Sequence, residues 1–147
     1  MTLSFICKPF RALTLLELHD VLWLRELVFV VGQKITVESE IDGEDPAHDH
    51  VLGRDELGAL IATARLRFDH EVVKVGRIAV HPERQRRGVG GSLMQAIDGF
   101  LGHRAAEMHA QAHLESLYGA LGWRRVGDPF LEAGIDHLRM VRRDRPG

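Results

Sequence analysis

The sequence is poor in cysteine, with Cys7 alone among 147 residues, so no internal disulfide can stabilise the fold. A chain of this length does not need one, because it buries roughly 68–70% of the surface that its unfolded form exposes. A long apolar run is missing as well: residues 21–31 are interrupted by Arg25 and Glu26, whereas a membrane span needs ~20 apolar residues. These absences exclude a disulfide scaffold and a transmembrane protein.

An excess of charge of one sign is also absent. The chain has 19 Lys and Arg against 21 Asp and Glu, a formal net charge of -2 and a pI of about 6.5. Proteins dedicated to nucleic acids or membrane surfaces usually have a basic excess, so we expect neither partner. Lys8 and Arg11 precede an apolar stretch as in a secretory leader, but Glu17 and Asp20 interrupt it and no small-residue cleavage site follows. We therefore expect a cytoplasmic protein.

Strand and helix patterns fill the chain without a repeat or a linker between them. Short turns at residues 54–56 and 69–71 predict an antiparallel meander of three strands, and Gly122 is placed to end a helix. The predicted strands span residues 3–7, 50–54, 57–68, 72–80, 107–111, 123–126 and 137–142, and the predicted helices span residues 14–29, 88–101 and 114–121. The sequence therefore predicts one α+β domain over residues 1–147.

The first predicted helix begins with a capping box, because Thr14 is followed three residues later by Glu17. We expect this helix to run to about Phe29. Its polar residues fall on several sides instead of one, which predicts that the helix is well buried.

A glycine- and arginine-rich loop joins the strand that ends at Val80 to the helix that opens at Gly88. The N–H groups at a helix N-terminus are unpaired and carry partial positive charge, so such a loop suits a phosphate or pyrophosphate. Glycines allow a ligand close to the backbone. The loop lacks the Gly-Lys-Ser/Thr of a P-loop, and Leu93 replaces the third glycine of a dinucleotide fingerprint. The alternative is an ordinary glycine-rich helix start with solvated arginines.

The segment Gln85-Arg86-Arg87-Gly88-Val89-Gly90 resembles the Q/R-x-x-G-x-G/A motif of the GNAT superfamily of N-acetyltransferases, and a strand precedes it as in that family. The resemblance implies a mixed, mostly antiparallel twisted sheet flanked by helices. It also implies acetyl-CoA as the cosubstrate. The residues that would contact its pantetheine arm and pyrophosphate are Ile78, Ala79, Val80, Arg86, Arg87, Gly88, Val89, Gly90 and Gly91.

Residues 111–123 resemble a second segment of that family, N-x-x-A-x-x-L-Y-x-x-x-G-F. Tyr118, the only tyrosine, falls on the residue that protonates the departing CoA thiolate in many members. A phenol is protonated at neutral pH and can donate to a sulfur anion. Gln111 replaces the usual Asn and keeps the amide that would contact pantetheine, and Leu114 replaces a small residue. The alternative is a core tyrosine with a locally satisfied hydroxyl.

Four further segments, at residues 27–33, 40–45, 110–114 and 134–137, are similar to the ElaA-like subgroup of the superfamily. Gly32 departs from that pattern, because the subgroup usually has Glu before Gln33. The subgroup does not identify an acceptor, and it leaves a homodimer open without a sequence feature that demonstrates one.

The reaction implied is direct attack of a primary amine, of a small molecule or a peptide, on the acetyl thioester in a ternary complex. A backbone N–H near Val80 is the candidate donor to the thioester oxygen. The attacking ammonium must lose a proton, and the candidate bases are Glu38, Glu40, Asp42, His50, His113 and His137. The acidic run at residues 38–50 either attracts a cationic amine or is a solvated loop.

No metal site is expected, although the chain has nine histidines. His48 and His50 flank Asp49 on the same side of an extended chain, but no third and fourth ligand accompany them. Residues 42–45 lack the spacing of a calcium-binding EF-hand. Cys7 has no activating neighbour in the sequence, so we do not expect it to be a nucleophile.

Two other functions stay open at this level. A non-catalytic module that senses acyl-CoA or binds a protein would use the same loop without chemistry. Transfer from a longer acyl thioester is the other alternative, because Val28 and Phe29 followed by acidic residues faintly resemble acyl-homoserine-lactone synthases, although those enzymes are generally longer.

Overall fold

Eight strands form one open sheet in the computed structural model, which describes residues 2–143. The spatial order is β1-β2-β3-β4-β5-β8-β6, with β7 paired to β8; β4 and β5 are parallel and all other neighbours are antiparallel. The bounds of the strands are β1 Ser4–Pro9, β2 Asp49–Arg54, β3 Leu60–Arg67, β4 Val73–Val80, β5 Ala106–Gln111, β6 Arg124–Arg125, β7 Phe130–Glu132 and β8 Ile135–Arg142. This architecture confirms the mixed, mostly antiparallel α+β sheet and the meander of β2, β3 and β4.

Helices cover both faces of the sheet. They are α1 Leu15–Arg25, α2 Val89–Leu101 and α3 Glu115–Ala120, and a π-helical segment, Glu26–Gly32, continues α1. The main core lies between the sheet and α2 with α3, where Leu93, Ile97 and Tyr118 are buried. A smaller cluster of Leu24, Val28 and Ala79 lies under α1. Among residues 2–143, no helix has the length and apolar composition to cross a bilayer.

The first helix differs from its prediction in two ways. The capping box is present, since the Glu17 N–H donates to Thr14 Oγ1 at 3.0 Å and the Thr14 N–H donates to Glu17 Oε1 at 2.9 Å. However, α-helical bonding ends at Arg25 instead of Phe29. The prediction of a well-buried helix is wrong, because Leu15 and Trp23 are 89% and 60% exposed. Only the side of α1 that faces the sheet is covered.

Strand β7 was not predicted, because its three residues lie between Pro129 and Gly134 and read as a loop. Strand β6 has only two residues of the predicted four. Both are short strands that pair only with β8. The strand conformation of β6 and β7 depends on pairing with β8 and not on a local apolar pattern.

A bulge in β4 changes which side chains face the core. The register of the pairing between β3 and β4 shifts between Thr63 and Arg65 of β3. Arg77 of β4 has a φ of 48° at this point. Val75 before the bulge and Ile78 after it both pack against the main core, although an unbroken strand would place them on opposite faces. Arg77 is directed to the other face, beneath the chain that follows α1.

The acidic run at residues 38–50 is bound by three arginines, one at the end of α1 and two on the sheet. Arg25 contacts Glu40 Oε2 at 2.9 Å and Asp45 Oδ1 at 2.8 Å, and its side chain is only 1% exposed. Arg65 reaches the same Asp45 oxygen at 2.9 Å and also pairs with Asp42. The run is therefore not simply solvated, because three of its carboxylates are neutralised by buried or half-buried guanidinium groups.

Arg77 completes this network, which we call the Arg–carboxylate cluster: Arg25, Arg65, Arg77, Glu40, Asp42 and Asp45. Its Nε lies 2.8 Å from Glu40 Oε2, and its Nη2 lies 3.3 Å from Asp42 Oδ2. The hydrogen bond from Arg65 holds the pKa of Asp42 well below its usual range. Burial opposes ionisation of Asp45, but the hydrogen bonds from Arg25 and Arg65 outweigh it and lower its pKa. The cluster balances three positive with three negative charges.

We expect Arg25→Met to reduce the free energy of unfolding by about 3–5 kcal/mol, because it leaves buried carboxylates of the cluster undercompensated. Urea denaturation at neutral pH, followed by circular dichroism, measures the change. The exposed Arg11 serves as the control: Arg11→Met should change stability by less than about 0.5 kcal/mol. A loss for Arg25→Met as small as that of the control would contradict the structural role of the cluster.

Candidate functional site

A cavity of about 1050 Å³ opens where β4 and β5 separate. The two parallel strands pair only from Val73 to Val75 with Ala106 to Met108, and beyond these residues they diverge. The cavity extends from the start of α2, along both strands, to the segment that follows α1. A gap between parallel strands exposes backbone groups that a sheet normally pairs, and a ligand can bind them.

One end of the cavity is formed by the start of α2. Gly88 has a φ of 80°, a backbone conformation that favours glycine, and its carbonyl accepts the first helical bond from the Ser92 N–H at 3.1 Å. The N–H groups of Val89, Gly90 and Gly91 come before that bond and have no acceptor within the helix. A Cβ on Gly90 or Gly91 would meet no atom within 4 Å, so the groove beside them is open.

The loop before α2 is held by its own polar contacts. Gln85 Nε2 donates to the Val80 carbonyl at 3.0 Å, and Arg84 Nη2 lies 2.9 Å from the buried Asp55 carboxylate. Arg86 is exposed, lines the cavity and has a φ of 64°. Open N–H groups and a nearby guanidinium fit a phosphorylated end of an elongated ligand.

The end of β4 directs a main-chain donor to the gap. The His81 N–H donates to the Ile61 carbonyl of β3 at 2.8 Å. Because successive residues of a strand point their N–H groups to opposite sides, the Val80 N–H points away from β3 and toward β5. The Val80 N–H is therefore directed to the gap, and its role as a donor to a thioester stays a prediction.

Tyr118, on α3, lines the cavity. It is 4% exposed, and burial raises the pKa of its hydroxyl to about 12. None of the hydrogen bonds found within residues 2–143 involves this hydroxyl, although the ring itself belongs to the main core. A protonated phenol without a protein acceptor is available as a donor to a ligand.

Two glutamine amides pair across the cavity. Gln33 Nε2 donates to Gln111 Oε1 at 3.1 Å, and Gln111 Nε2 donates to Gln33 Oε1 at 2.9 Å. Gln111 was a predicted contact residue, whereas no role was predicted for Gln33. The only sequence information on Gln33 was its place in the ElaA-like pattern, because the two residues are 78 positions apart.

The other predicted contact residues divide into two sets. Ile78, Val80, Arg86, Gly88, Gly90, Gly91 and Gln111 line the cavity. The side chains of Ala79 and Val89 are buried in the two cores, and Arg87 lies on the surface beside the loop. These three can reach a ligand in the cavity only through main-chain groups or by a change of side-chain position.

Among the candidate bases, three are not free to act as simple acceptors. Glu40 and Asp42 line the cavity but belong to the Arg–carboxylate cluster. His50 does not line it: the ring is fully buried, burial lowers its pKa, and Nε2 contacts the Asp45 carbonyl at 3.0 Å. Pairing with arginines makes Glu40 and Asp42 weaker candidates for the base, and burial does the same for His50.

The remaining candidates line the cavity in different settings. Glu38 and His113 are exposed. His137 has a side chain that is only 9% exposed, lies opposite Gln111 in the pairing of β5 with β8, and faces Glu132. Only His137 combines burial in the cavity wall with a defined polar partner.

Within the described part of the chain, no group of three or more His, Cys, Asp or Glu side chains is placed to hold a metal ion. His48 Nδ1 contacts the Glu44 carbonyl at 2.7 Å, so this ring, like that of His50, is bound to backbone. Cys7 lies on the edge strand β1, where burial and the Asp49 carboxylate raise its pKa to about 11. A thiol with such a pKa is a poor nucleophile at neutral pH.

Comparison with known proteins identifies the family. A model of the acetyltransferase (GNAT) domain matches residues 32–143. The chain belongs to the GNAT acetyltransferase family. Its sequence is 34% identical to protein ElaA of Escherichia coli over 88% of this chain and 90% of that protein. The GNAT assignment and the similarity to ElaA confirm the resemblance noted in the sequence.

Solved GNAT structures share the fold. The crystal structure of Escherichia coli ElaA matches with a TM-score of 0.85 at 30% identity, and an acyl-CoA N-acyltransferase from Pseudomonas aeruginosa matches with 0.84 at 34%; each comparison covers 96% of this chain and 99% of the other. A GNAT acetyltransferase from Elizabethkingia anophelis, solved with acetyl-CoA bound, has a TM-score of 0.68 at 16% identity and covers 96% and 97%. The chain is thus a GNAT acyltransferase of the ElaA type, with a fold that uses acyl-CoA.

The single tyrosine allows a direct test of the cavity. Because burial penalises the phenolate of Tyr118, we expect its near-ultraviolet absorbance to titrate at about pH 12 in the folded protein and near pH 10 in urea. The pKa of Tyr118 is higher in the folded than in the unfolded protein. Its contribution to the free energy of unfolding is therefore complete below pH ~10 and is lost as the pH rises toward 12. A midpoint near 10 while circular dichroism still reports the fold would contradict the buried position.

Proposed function

We propose that the protein is an acetyl-CoA-dependent N-acetyltransferase that transfers an acetyl group to a primary amine of a small molecule or peptide by direct attack in a ternary complex. The observation that carries the proposal is the continuity of one cavity. It connects the open N–H groups at the start of α2, the Tyr118 hydroxyl and a wall of carboxylates and histidines. The family supplies acyl transfer in general, and the acetyl donor and amine acceptor are our proposal.

The chain offers a fitting group for each part of acetyl-CoA, which supplies the activated acetyl thioester when it is bound. The first turn of α2, from Gly88 to Gly91, and Arg86 would hold the pyrophosphate. Main-chain groups of Ile78, Ala79 and Val80 would hold the pantetheine arm. The remaining proposed contacts are Arg87 and Val89 at the loop and Gln111 on β5. A Cβ at Gly90 or Gly91 would extend into the groove that this ligand needs.

Tyr118 is the proposed general acid. Its hydroxyl is protonated throughout the physiological range, because burial raises its pKa to about 12. A neutral phenol can donate to the sulfur as negative charge develops there during C–S cleavage. The Val80 N–H, directed into the gap between β4 and β5, is the proposed donor to the thioester oxygen as negative charge develops there.

The acceptor side of the cavity is predominantly acidic at its rim. Glu38 is exposed there, and Glu132 of β7 lines the wall; Glu107 of β5 also lines it but is paired with Arg139 and lies 3.9 Å from Lys74. Carboxylates at the entrance favour approach of a cationic amine. The charges of the Arg–carboxylate cluster are balanced internally, so they position the wall and contribute little net attraction.

A glycine pair in α2 tests the cofactor site. Gly90→Glu places a side chain and a negative charge in the groove, and we expect it to abolish acetyl-CoA binding in calorimetry. Gly99→Glu is the matched control, since Gly99 lies in the same helix, is exposed and also has no atom within 4 Å of a Cβ. The control should bind normally. Normal binding by Gly90→Glu would show that the pyrophosphate assignment is wrong.

Tyr118→Phe tests the chemical role. We expect this variant to release thiol from acetyl-CoA about 10²–10⁴-fold more slowly in the presence of an accepted amine, with nearly unchanged calorimetric affinity for acetyl-CoA. The assay uses alkylamines, diamines, arylalkylamines and a peptide with a free N-terminus. Unchanged turnover would remove Tyr118 from the acid role. Binding of acetyl-CoA by the unmodified protein without thiol release for any amine would indicate a sensor instead of an enzyme.

A further inference from the structure

We propose that His137 is the base that takes the proton from the acceptor ammonium, with Glu132 as its positioning residue. This assignment rests on the proposed function and adds the proton acceptor that the reaction requires. It is carried by the geometry of three side chains on neighbouring strands: His137 on β8, Glu132 on β7 and His109 on β5.

The hydrogen bond on one side of the His137 ring determines where a proton can be accepted. Nδ1 lies 2.7 Å from the carbonyl oxygen of Ile135. A carbonyl oxygen only accepts, so Nδ1 is the nitrogen that carries hydrogen and Nε2 has the free lone pair of the neutral ring. The ring lines the cavity and is 9% exposed, so Nε2 is held in a defined position.

Glu132 faces that free nitrogen. Its Oε2 lies 3.7 Å from Nε2 of His137, too far for a hydrogen bond but close enough to stabilise a positive charge that arrives there. Its other oxygen, Oε1, lies 2.8 Å from Nδ1 of the exposed His109. Phe130 packs against both rings, edge-on to His109 at 5.0 Å and stacked on His137 at 6.2 Å. The two imidazoles are thus fixed on either side of one carboxylate.

The other charged groups near His137 are already paired or exposed. Arg139, two residues along the same strand, lies 2.7 Å from Glu107 of β5, which also contacts Lys74 at 3.9 Å. His113, on the turn that contacts β8, is exposed. A base oriented by a second group is the arrangement found where enzymes activate a nucleophile. Among the candidate bases that line the cavity outside the Arg–carboxylate cluster, only His137 is oriented by a hydrogen bond, between Nδ1 and the Ile135 carbonyl.

The protons balance across the reaction. Nε2 of His137 accepts a proton from the ammonium, which leaves the amine nitrogen with the lone pair that forms the new C–N bond. Tyr118 gives its proton to the departing sulfur as the C–S bond breaks. The attacking nitrogen loses a second proton when the amide forms, and that proton returns to the Tyr118 oxygen. The proton on His137 then passes to solvent, and the Glu132 carboxylate stabilises the imidazolium until it leaves. The net change is one proton released for each amide formed.

Amines of equal size but different basicity test this role. Each pair consists of an amine and an analogue with fluorine on the carbon β to the nitrogen, and the assay pH is set so that the amine is protonated while its analogue is largely the free base. The pairs are ethylamine with trifluoroethylamine and phenethylamine with its β,β-difluoro analogue. Thiol release from acetyl-CoA is measured for the unmodified protein, His137→Gln and Glu132→Gln. The control is His103→Gln, an exposed histidine outside the cavity.

For the pair with the fastest amine, we expect His137→Gln to lower kcat/KM by about 10²-fold or more with the protonated amine, and by less than about threefold with the fluorinated one. Glu132→Gln should show the same selectivity with a smaller loss, which a merely structural role would not produce. His103→Gln should match the unmodified protein. Equal losses for both amines of the pair, or no loss, would overturn the assignment of His137 alone. Absence of thiol release by the unmodified protein with every amine would overturn the proposed function and this assignment together.

Discussion

The site depends on the ion pairs that Arg77 makes where β4 bulges. Its guanidinium contacts Glu40 and Asp42, while its backbone takes the positive φ that shifts the strand register. The same carboxylates, through Arg25 and Arg65, bind the chain that follows α1 to the sheet. A buried network of this kind adds little net stability compared with an apolar core, but it tolerates the loss of a partner poorly. It therefore specifies one position for the wall of the cavity.

The bulge also decides what β4 can offer to a ligand. It returns Ile78 and Val80 to the face that carries Val75, so that the end of the strand presents apolar side chains to the cavity. The divergence of β4 and β5 adds main-chain donors, since strands that no longer pair leave N–H groups directed into the gap. A cavity with apolar walls and main-chain donors is well suited to a long ligand that has a phosphorylated end and an amide-containing arm.

The near-neutral total charge hides an uneven distribution of charged groups. Arg86 and the start of α2 make one end of the cavity positive, and Glu38 and Glu132 add negative charge elsewhere in its lining. Tyr118, in the same lining, is uncharged because burial disfavours the phenolate. This distribution suits the substrates proposed above, an anionic acyl-CoA and a cationic amine.

The sequence by itself determined the features that depend on neighbouring residues. Caps, turns and helical spacing act over three or four positions, so the capping box of α1, the glycine-rich start of α2 and the helix of Tyr118 could be predicted from them. The α+β class and the family followed from these local patterns and their order. They did not show that α-helical bonding in α1 ends at Arg25, because that boundary depends on how the next turn packs.

Only the tertiary structure decided which distant residues meet. Arg25 and Asp45 are 20 positions apart, Arg77 and Glu40 are 37 apart, and Gln33 and Gln111 are 78 apart. No local pattern encodes such pairs, since they form only when separate strands and loops pack together. For the same reason the sequence suggested catalytic bases in the acidic run. In the structure, three of its carboxylates are paired with arginines and hold one wall of the cavity in place. The pairing of β7 and β8 placed Glu132 beside His137.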